Sequence, residues 1–221
     1  MPRAVIFANG HLPSLEAARQ LVHQDDRIIA ANGGSQHLLQ LGLVPSIIIG
    51  DLDSINEQER KHFLDAGVEF IAFDREKDET DLELALKHAV SDACQPILII
   101  GALGGRLDQT LANLSLLGSD DLRDLDVRFD DGTEEVFMIN ESRPYELHGS
   151  PGDLVSLLPW GRPVEGIVTQ GLRWELRSDN LHPHKTRGIS NVLLNERASL
   201  RIRSGLLLLI HLRLFQTLRS V

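Results

Sequence analysis

From Ala4 to Gly118, short apolar runs alternate with segments whose apolar positions recur at helical spacing. The runs are Ala4–Ala8, Ile28–Ala31, Ile47–Ile49, Val68–Phe73 and Pro96–Ile100. Three isoleucines in a row, as at Ile47–Ile49, suit a strand buried on both faces. Leu15, Ala18, Leu21 and Val22 predict a helix beginning at Ser14, and Leu38, Leu39 and Leu41 a short one stopped by Gly42 and Pro45. Ser54-Ile-Asn-Glu57 has the spacing of a capping box, so a helix is expected to begin there and end near Gly67. A longer helix carries Leu82, Ala85, Leu86, Ala89 and Val90, and another runs through Leu111, Leu114 and Leu117. Repeated strand–helix alternation predicts βαβ units wound into a parallel sheet, with Val127–Phe129 and Val136–Ile139 extending its edge.

Around Asn140–Pro144 the period changes. From Tyr145 onward helical spacing disappears, and strand-like runs recur between turn signals: DLVSLLPWG, GIVTQG, LRWEL, SNVLL, ASLRIR and LLLLIHL. The expected fold is α/β: a Rossmann-like, doubly wound, mostly parallel sheet over residues 1–142, then an all-β sandwich over residues 143–221.

Composition narrows the partners. A net charge of −10 argues against nucleic acid or an anionic membrane surface. A phosphorylated ligand stays open, because a divalent cation can bridge carboxylates to phosphates. The single cysteine, Cys94, rules out an intrachain disulfide and fits a reducing compartment. The N-terminal apolar run is too short for a signal peptide, and Leu206–Ile210 too short to span a bilayer. A cytoplasmic protein with no membrane partner is expected.

The polar motifs fall where the strands end. Asn32-Gly33-Gly34 follows the second run, Asp51 and Asp53 the third, Asp74 through Asp81 the fourth, and GALGGRLD (101–108) the fifth. In an open parallel sheet these positions share the carboxyl edge, where ligands bind. Each aspartate alone has a bland reading as a cap or turn residue. Convergence of Asp51, Asp53, Asp81 and Asp108 on one site is expected instead to hold a hard cation such as Mg²⁺. The glycines of GALGGRLD let backbone amides approach an anion, and Arg106 suits phosphate oxygens; the rival is a plain strand-to-helix turn. Neither a Walker A loop nor a G-x-G-x-x-G fingerprint occurs, which weakens P-loop kinases and standard dehydrogenases. EKDETD (76–81) reads either as a solvated charged loop, or with Asp78 and Asp81 toward metal and Lys77 toward a phosphate. Trp174 in GLRWEL is either core or a flat stacking face. His182 and His184 are assigned nothing.

Taken in order, A-N-G-G (31–34), GDLDS (50–54), EKDETD (76–81), GALGGRLDQTLAN (101–113), GLRWEL (171–176) and GISN (188–191) resemble thiamine pyrophosphokinase. The resemblance covers Ala4 to about Ile210 and implies an α/β domain, a β-sandwich domain and a homodimer; with Leu206–Ile210, more apolar than a small sandwich edge needs, it puts the expected dimer contact largely in the β domain. It implies transfer of a pyrophosphoryl group from ATP to the hydroxyl of thiamine, with Mg²⁺ as cofactor and AMP released. Asp51, Asp53, Asp81 and Asp108 become the acidic, catalytic cluster, the first three of them metal ligands. Asn32, Gly33, Lys77, Asp78, Gly104, Gly105, Arg106 and Gln109 fall on the ATP side. Trp174 becomes the ring that stacks on thiamine, with Ser190 and Asn191 holding its aminopyrimidine. Two departures stand out. The family usually has aspartate where Asn32 stands, which weakens or alters metal binding, and bacterial members often carry histidine at Gln109. The tail after Ile210 reads as an addition. Two rivals remain, a phosphotransferase with another acceptor alcohol and a catalytically silent thiamine or nucleotide binder.

Overall fold

The structure, a computed structural model, describes residues 1–214. They divide into two compact units, one of Met1–Leu116 with Leu125–Asp131, the other of Leu117–Asp124 with the chain from Gly132 onward.

The first unit is built on β1 (Ala4–Phe7), β2 (Arg27–Ala31), β3 (Ile47–Gly50), β4 (Glu69–Ala72), β5 (Ile97–Ile100) and β6 (Val127–Asp130). All pair in parallel, in the order β6-β5-β1-β2-β3-β4. The sheet grows from β1 to β4, then the chain crosses back to lay β5 on the other side of β1. That reversal leaves a crevice at the carboxyl ends of β1 and β5. Helices α1 (Leu15–Gln20), α2 (Ser35–Leu41), α3 (Glu57–Asp65), α4 (Asp81–Ser91) and α5 (Leu107–Leu117) connect the strands. Alternate strand residues serve opposite faces. Val5, Phe7, Ala30, Ile48, Leu98 and Ile100 pack with Ala18, Leu38 and Phe63, while α4, burying Leu82, Ala85, Leu86 and Ala89, packs against β1, β2 and β3. Fully burying a side chain such as Phe63 stabilises the fold by about 1.5–3 kcal/mol.

The caps are largely those the sequence predicts. Ser14 accepts from the Ala17 amide, and Gly42, at φ +63°, ends α2 in the left-handed conformation. The capping box of α3 is displaced: Asn56 and Glu59 exchange the two bonds, not Ser54 and Glu57. Ser54 is otherwise engaged, its hydroxyl donating to Asp53 at 3.1 Å. Leu111, expected on the buried face of α5, is exposed.

The second unit holds two antiparallel sheets. One runs β12 (Asn191–Val192), β9 (Leu154–Pro159), β14 (Leu207–Leu212), β7 (Glu134–Ile139). The other runs β11 (Arg177–Leu181), β10 (Val164–Gln170), β13 (Arg197–Arg201), β8 (Tyr145–His148). Val155, Leu157, Leu207 and Leu209 of the first sheet share a core with Leu147, Val164, Ile167 and Leu200 of the second, which makes a sandwich. Packing divides the chain before the composition shift at 142–143, because β7 pairs with β14 along its whole length.

Three expectations change here. LRWEL is not a strand: Gly171, at φ +83°, turns the chain, and only Leu172 makes an isolated bridge, to Leu193. The strand lies just beyond, in RSDNL, a polar edge with no apolar run to announce it. The apolar run at Leu207–Leu209 is consumed in the interior of this unit, so it offers no free face for a second copy. The start of the tail is structural. β14 continues through His211, fully buried, with Nε2 at 2.9 Å from Asp153 and Nδ1 at 3.6 Å from Glu135. Residues 215–221 of that tail lie outside the described residues.

Candidate active site

Each of the loops at the carboxyl edge of the parallel sheet is held by close backbone approach. After β2 the chain makes a single 3₁₀ turn through Asn32, Gly33 and Gly34. A Cβ on Gly34 would lie 1.9 Å from the Phe7 carbonyl, and one on Gly33 would strike the Asn9 amide at 2.5 Å. Glycines there let the loops after β1 and β2 touch. After β5, Gly10 N–H donates to the Gly101 carbonyl and His11 N–H to that of Leu103. Buried Asn113 donates from α5 to the Ala102 carbonyl at 2.7 Å, fixing the glycine loop from behind.

These loops enclose a cavity of about 670 Å³, the size of a small-molecule site. Asn32, Gly33, Lys77 and Asp81 line one part of it; Gly104, Gly105, Arg106 and Gln109 line another. Asp81 opens α4 directly after its cap, Thr80. Gly50, at φ +149°, ends β3 against Asn32 and Asp81; a Cβ on it would sit 2.8 Å from both side chains.

The acidic residues meet at Asn32. Its Nδ2 lies 2.7 Å from Asp51, 3.1 Å from Asp53 and 3.1 Å from Asp81. Two cations from the loop after β4 attend the cluster: Arg75 pairs with Asp53 and, at 3.8 Å, with Asp51, while Lys77 stands 3.0 Å from Asp81. Donation by Asn32, then by Ser54 and Arg75, holds the Asp53 carboxyl at a pKa of about 2. Three carboxylates against two cations leave the cluster anionic.

The donor set suits a hard divalent cation. It is all oxygen, it is anionic, and Asn32 adds a buried Oδ1 with no hydrogen-bond partner. Among the described residues no three Asp, Glu, His or Cys side chains close on a metal-sized point. Here the point between the carboxylates is taken by the Asn32 amide nitrogen.

Two expected members are elsewhere. Asp108 does not join the cluster: it is exposed, does not line the cavity, and makes two hydrogen bonds to Arg106. The pair lowers the Asp108 pKa and raises that of Arg106. Asp78 is exposed and also does not line the cavity. Asn9, His11, Arg75 and Asn113 belong to the site or its supports but went unassigned. Asn9 ends the first apolar run at the same sheet edge, and Asn113 lies one helical turn beyond Gln109, so position alone could have found both.

In the second unit Trp174 is 58% exposed and not part of the core, while Leu172 and Leu176 on either side are buried. Asn191 is buried and holds the Trp174 backbone: its Oδ1 accepts from Trp174 N–H at 3.0 Å, and its Nδ2 donates to the Trp174 carbonyl at 2.8 Å. These bonds use its Oδ1 and one of the two Nδ2 hydrogens. Ser190 is exposed, in the left-handed region at φ +56°, with its N–H on Ser156.

Comparison with known proteins finds two family models in succession along the chain. Residues 18–129 match the family model of the thiamin pyrophosphokinase catalytic domain, and residues 143–207 that of the thiamin pyrophosphokinase vitamin B1 binding domain. Thiamine pyrophosphokinase of Bacillus subtilis is 30% identical over 183 residues, 82% of this chain and 85% of that one. Thiamine pyrophosphokinase 1 of Oryza sativa is 27% identical over 178 residues, 76% of this chain and 67% of that one. The crystal structure of the B. subtilis enzyme superposes with a TM-score of 0.86 at 26% identity, covering 96% of this chain and 99% of that one. A thiamin pyrophosphokinase family protein from Enterococcus faecalis gives 0.79 at 27% identity, again covering 96% and 99%. The chain belongs to the thiamine pyrophosphokinase family.

Proposed function

We propose that this protein transfers the pyrophosphoryl group of ATP to the hydroxyl of thiamine, giving thiamine diphosphate and AMP. The observation that carries the reading is the meeting of Asp51, Asp53 and Asp81 on Asn32, which with Asp81 lines the same cavity as a glycine loop with Arg106, in a member of this family. Asp51, Asp53 and Asp81 would hold Mg²⁺, which supplies charge neutralisation at the phosphate oxygens when bound. The backbone amides of Gly104 and Gly105 and the side chains of Lys77, Arg106 and Gln109 bind phosphate oxygens around the same cavity. The thiamine oxygen attacks the β-phosphorus, the bond from that phosphorus to the α–β bridging oxygen breaks, and AMP departs. Lys77 and Arg106 offset the charge that gathers during transfer, and a carboxylate of the cluster accepts the hydroxyl proton. Asp108 acts on Arg106, holding its guanidinium.

Trp174 is the platform for the positively charged thiazolium. Arg173 already stands over its ring at 5.7 Å, so this indole has a cation for company before any ligand arrives. Ser190, exposed beside Asn191, contributes a hydroxyl to the same ligand. We further propose a homodimer. Ile189 and Leu194, exposed on either side of Asn191, offer apolar side chains to a second copy. A cytoplasmic setting fits Cys94, a buried free thiol; no helix among the described residues is long and apolar enough to cross a membrane. Product analysis with ATP, Mg²⁺ and thiamine tests the activity. AMP supports it, ADP favours a phosphotransferase of another kind, and thiamine binding without turnover favours a silent binder.

A further inference from the structure

Asn32 is an unusual centre for an acidic cluster. It is 6% exposed, sits at φ +41°, and has one amide nitrogen facing three carboxylates. That nitrogen carries two hydrogens, so three contacts require one hydrogen to be shared between two carboxylates. Its Oδ1 meanwhile is buried and unpaired, a costly state for a polar atom. The amide nitrogen therefore takes the place of a cation, while the atom able to bind a cation is left without a partner.

We infer that Asn32 is a positioning residue with two settings. Without a divalent cation its amide nitrogen cross-links Asp51, Asp53 and Asp81 and keeps them from repelling one another apart. With the cation present its carboxamide turns over about the last side-chain bond, and Oδ1 joins the carboxylates as a neutral ligand. The terminal torsion of asparagine is broad and two-fold, and the turn exchanges atoms of nearly equal size. An aspartate at this position has no donor to offer. It would put a fourth carboxylate beside Arg75 and Lys77, and the metal-free site would become the weak point of the unit. Asparagine thus trades cation affinity for a site that holds its shape unloaded. The inference rests on the reading that these carboxylates take a divalent cation.

Thermal melting and Mn²⁺ binding without ATP test it. Asn32→Asp is close to isosteric. In EDTA it should melt at least about 4 °C below the wild type, and saturating Mg²⁺ should close the gap. Its Mn²⁺ dissociation constant, from the electron paramagnetic resonance signal of free Mn²⁺, should fall about tenfold or more, as an added ligand charge demands. Asn32→Gly keeps the backbone angle and removes the whole carboxamide. It should melt lower in EDTA and bind Mn²⁺ more weakly than the wild type, which separates the cross-link from the added charge. Equal melting in EDTA with unchanged Mn²⁺ affinity in Asn32→Asp would overturn the two-setting role. Mn²⁺ binding by Asn32→Gly as tight as wild type would overturn the part given to Oδ1. A drop in EDTA with no Mn²⁺ bound by any of the proteins would overturn the cation reading and leave the cross-link standing.

Discussion

The carboxamide of Asn191 grips the Trp174 backbone from both sides, accepting from its N–H at 3.0 Å and donating to its carbonyl at 2.8 Å. A buried polar side chain is spent on holding an exposed indole in one place. That arrangement suits a ring kept ready for a ligand better than a surface tryptophan with no task.

Trp174→Ala should therefore raise the thiamine Michaelis constant about several-fold to tenfold, since stacking a cation on indole is worth roughly 0.5–2 kcal/mol. The ATP constant and the melting temperature should barely move, because the indole is exposed. Asn191→Leu should also raise the thiamine constant, through loss of the grip, but with a measurable loss of stability from the stranded Trp174 amide and carbonyl. Steady-state kinetics and calorimetry on both variants separate these outcomes. A large loss of stability in Trp174→Ala would return the ring to the core.

Asp51→Asn and Asp53→Asn each remove a charge from the cluster. Turnover should fall on the order of a hundredfold or more in each, with the fold intact by circular dichroism. Wild-type rates in both at physiological Mg²⁺ would end the metal-site reading.

Gly50→Ala should disturb the cluster through the backbone. A Cβ there meets the side chains of Asn32 and Asp81 at 2.8 Å, at a φ of +149° that alanine resists. A loss of roughly 1–3 kcal/mol is expected, read by chemical denaturation, together with weaker Mn²⁺ binding. Unchanged stability and binding would show that the contact is not tight.

Asp53 titrates low because donors favour its ionised form, Asn32 foremost. A depressed pKa in the folded state contributes stability above the ordinary value of 3.8, lost as pH falls toward about 2. Carbon-13 NMR of the carboxyl should place its midpoint near 2 in the wild type and higher in Asn32→Gly. A midpoint near 3.8 in both would contradict the donor geometry.

Strands buried on both faces announce themselves, so Ile47–Ile49 and its neighbours were legible, and the parallel order then placed their polar ends on one edge. Which way a side chain turns at that edge was not. Asp108 follows the glycine loop as the cluster pattern requires, yet two residues back Arg106 offers a closer partner. Arg75 was hidden in a charged run whose default reading is solvation. Asn191 sits in the expected motif, but only the fold of the GLRWEL turn reveals that its carboxamide bonds the Trp174 backbone. The polar edge strand Arg177–Leu181 and the buried His211 had no apolar pattern to signal them.

The most direct measurement is the nucleotide released when the protein is incubated with ATP, Mg²⁺ and thiamine, resolved by chromatography alongside the thiamine product. The proposed function requires AMP and thiamine diphosphate in equal amounts, both lost in Asp51→Asn. ADP with thiamine monophosphate, or no thiamine-dependent nucleotide at all, would contradict it.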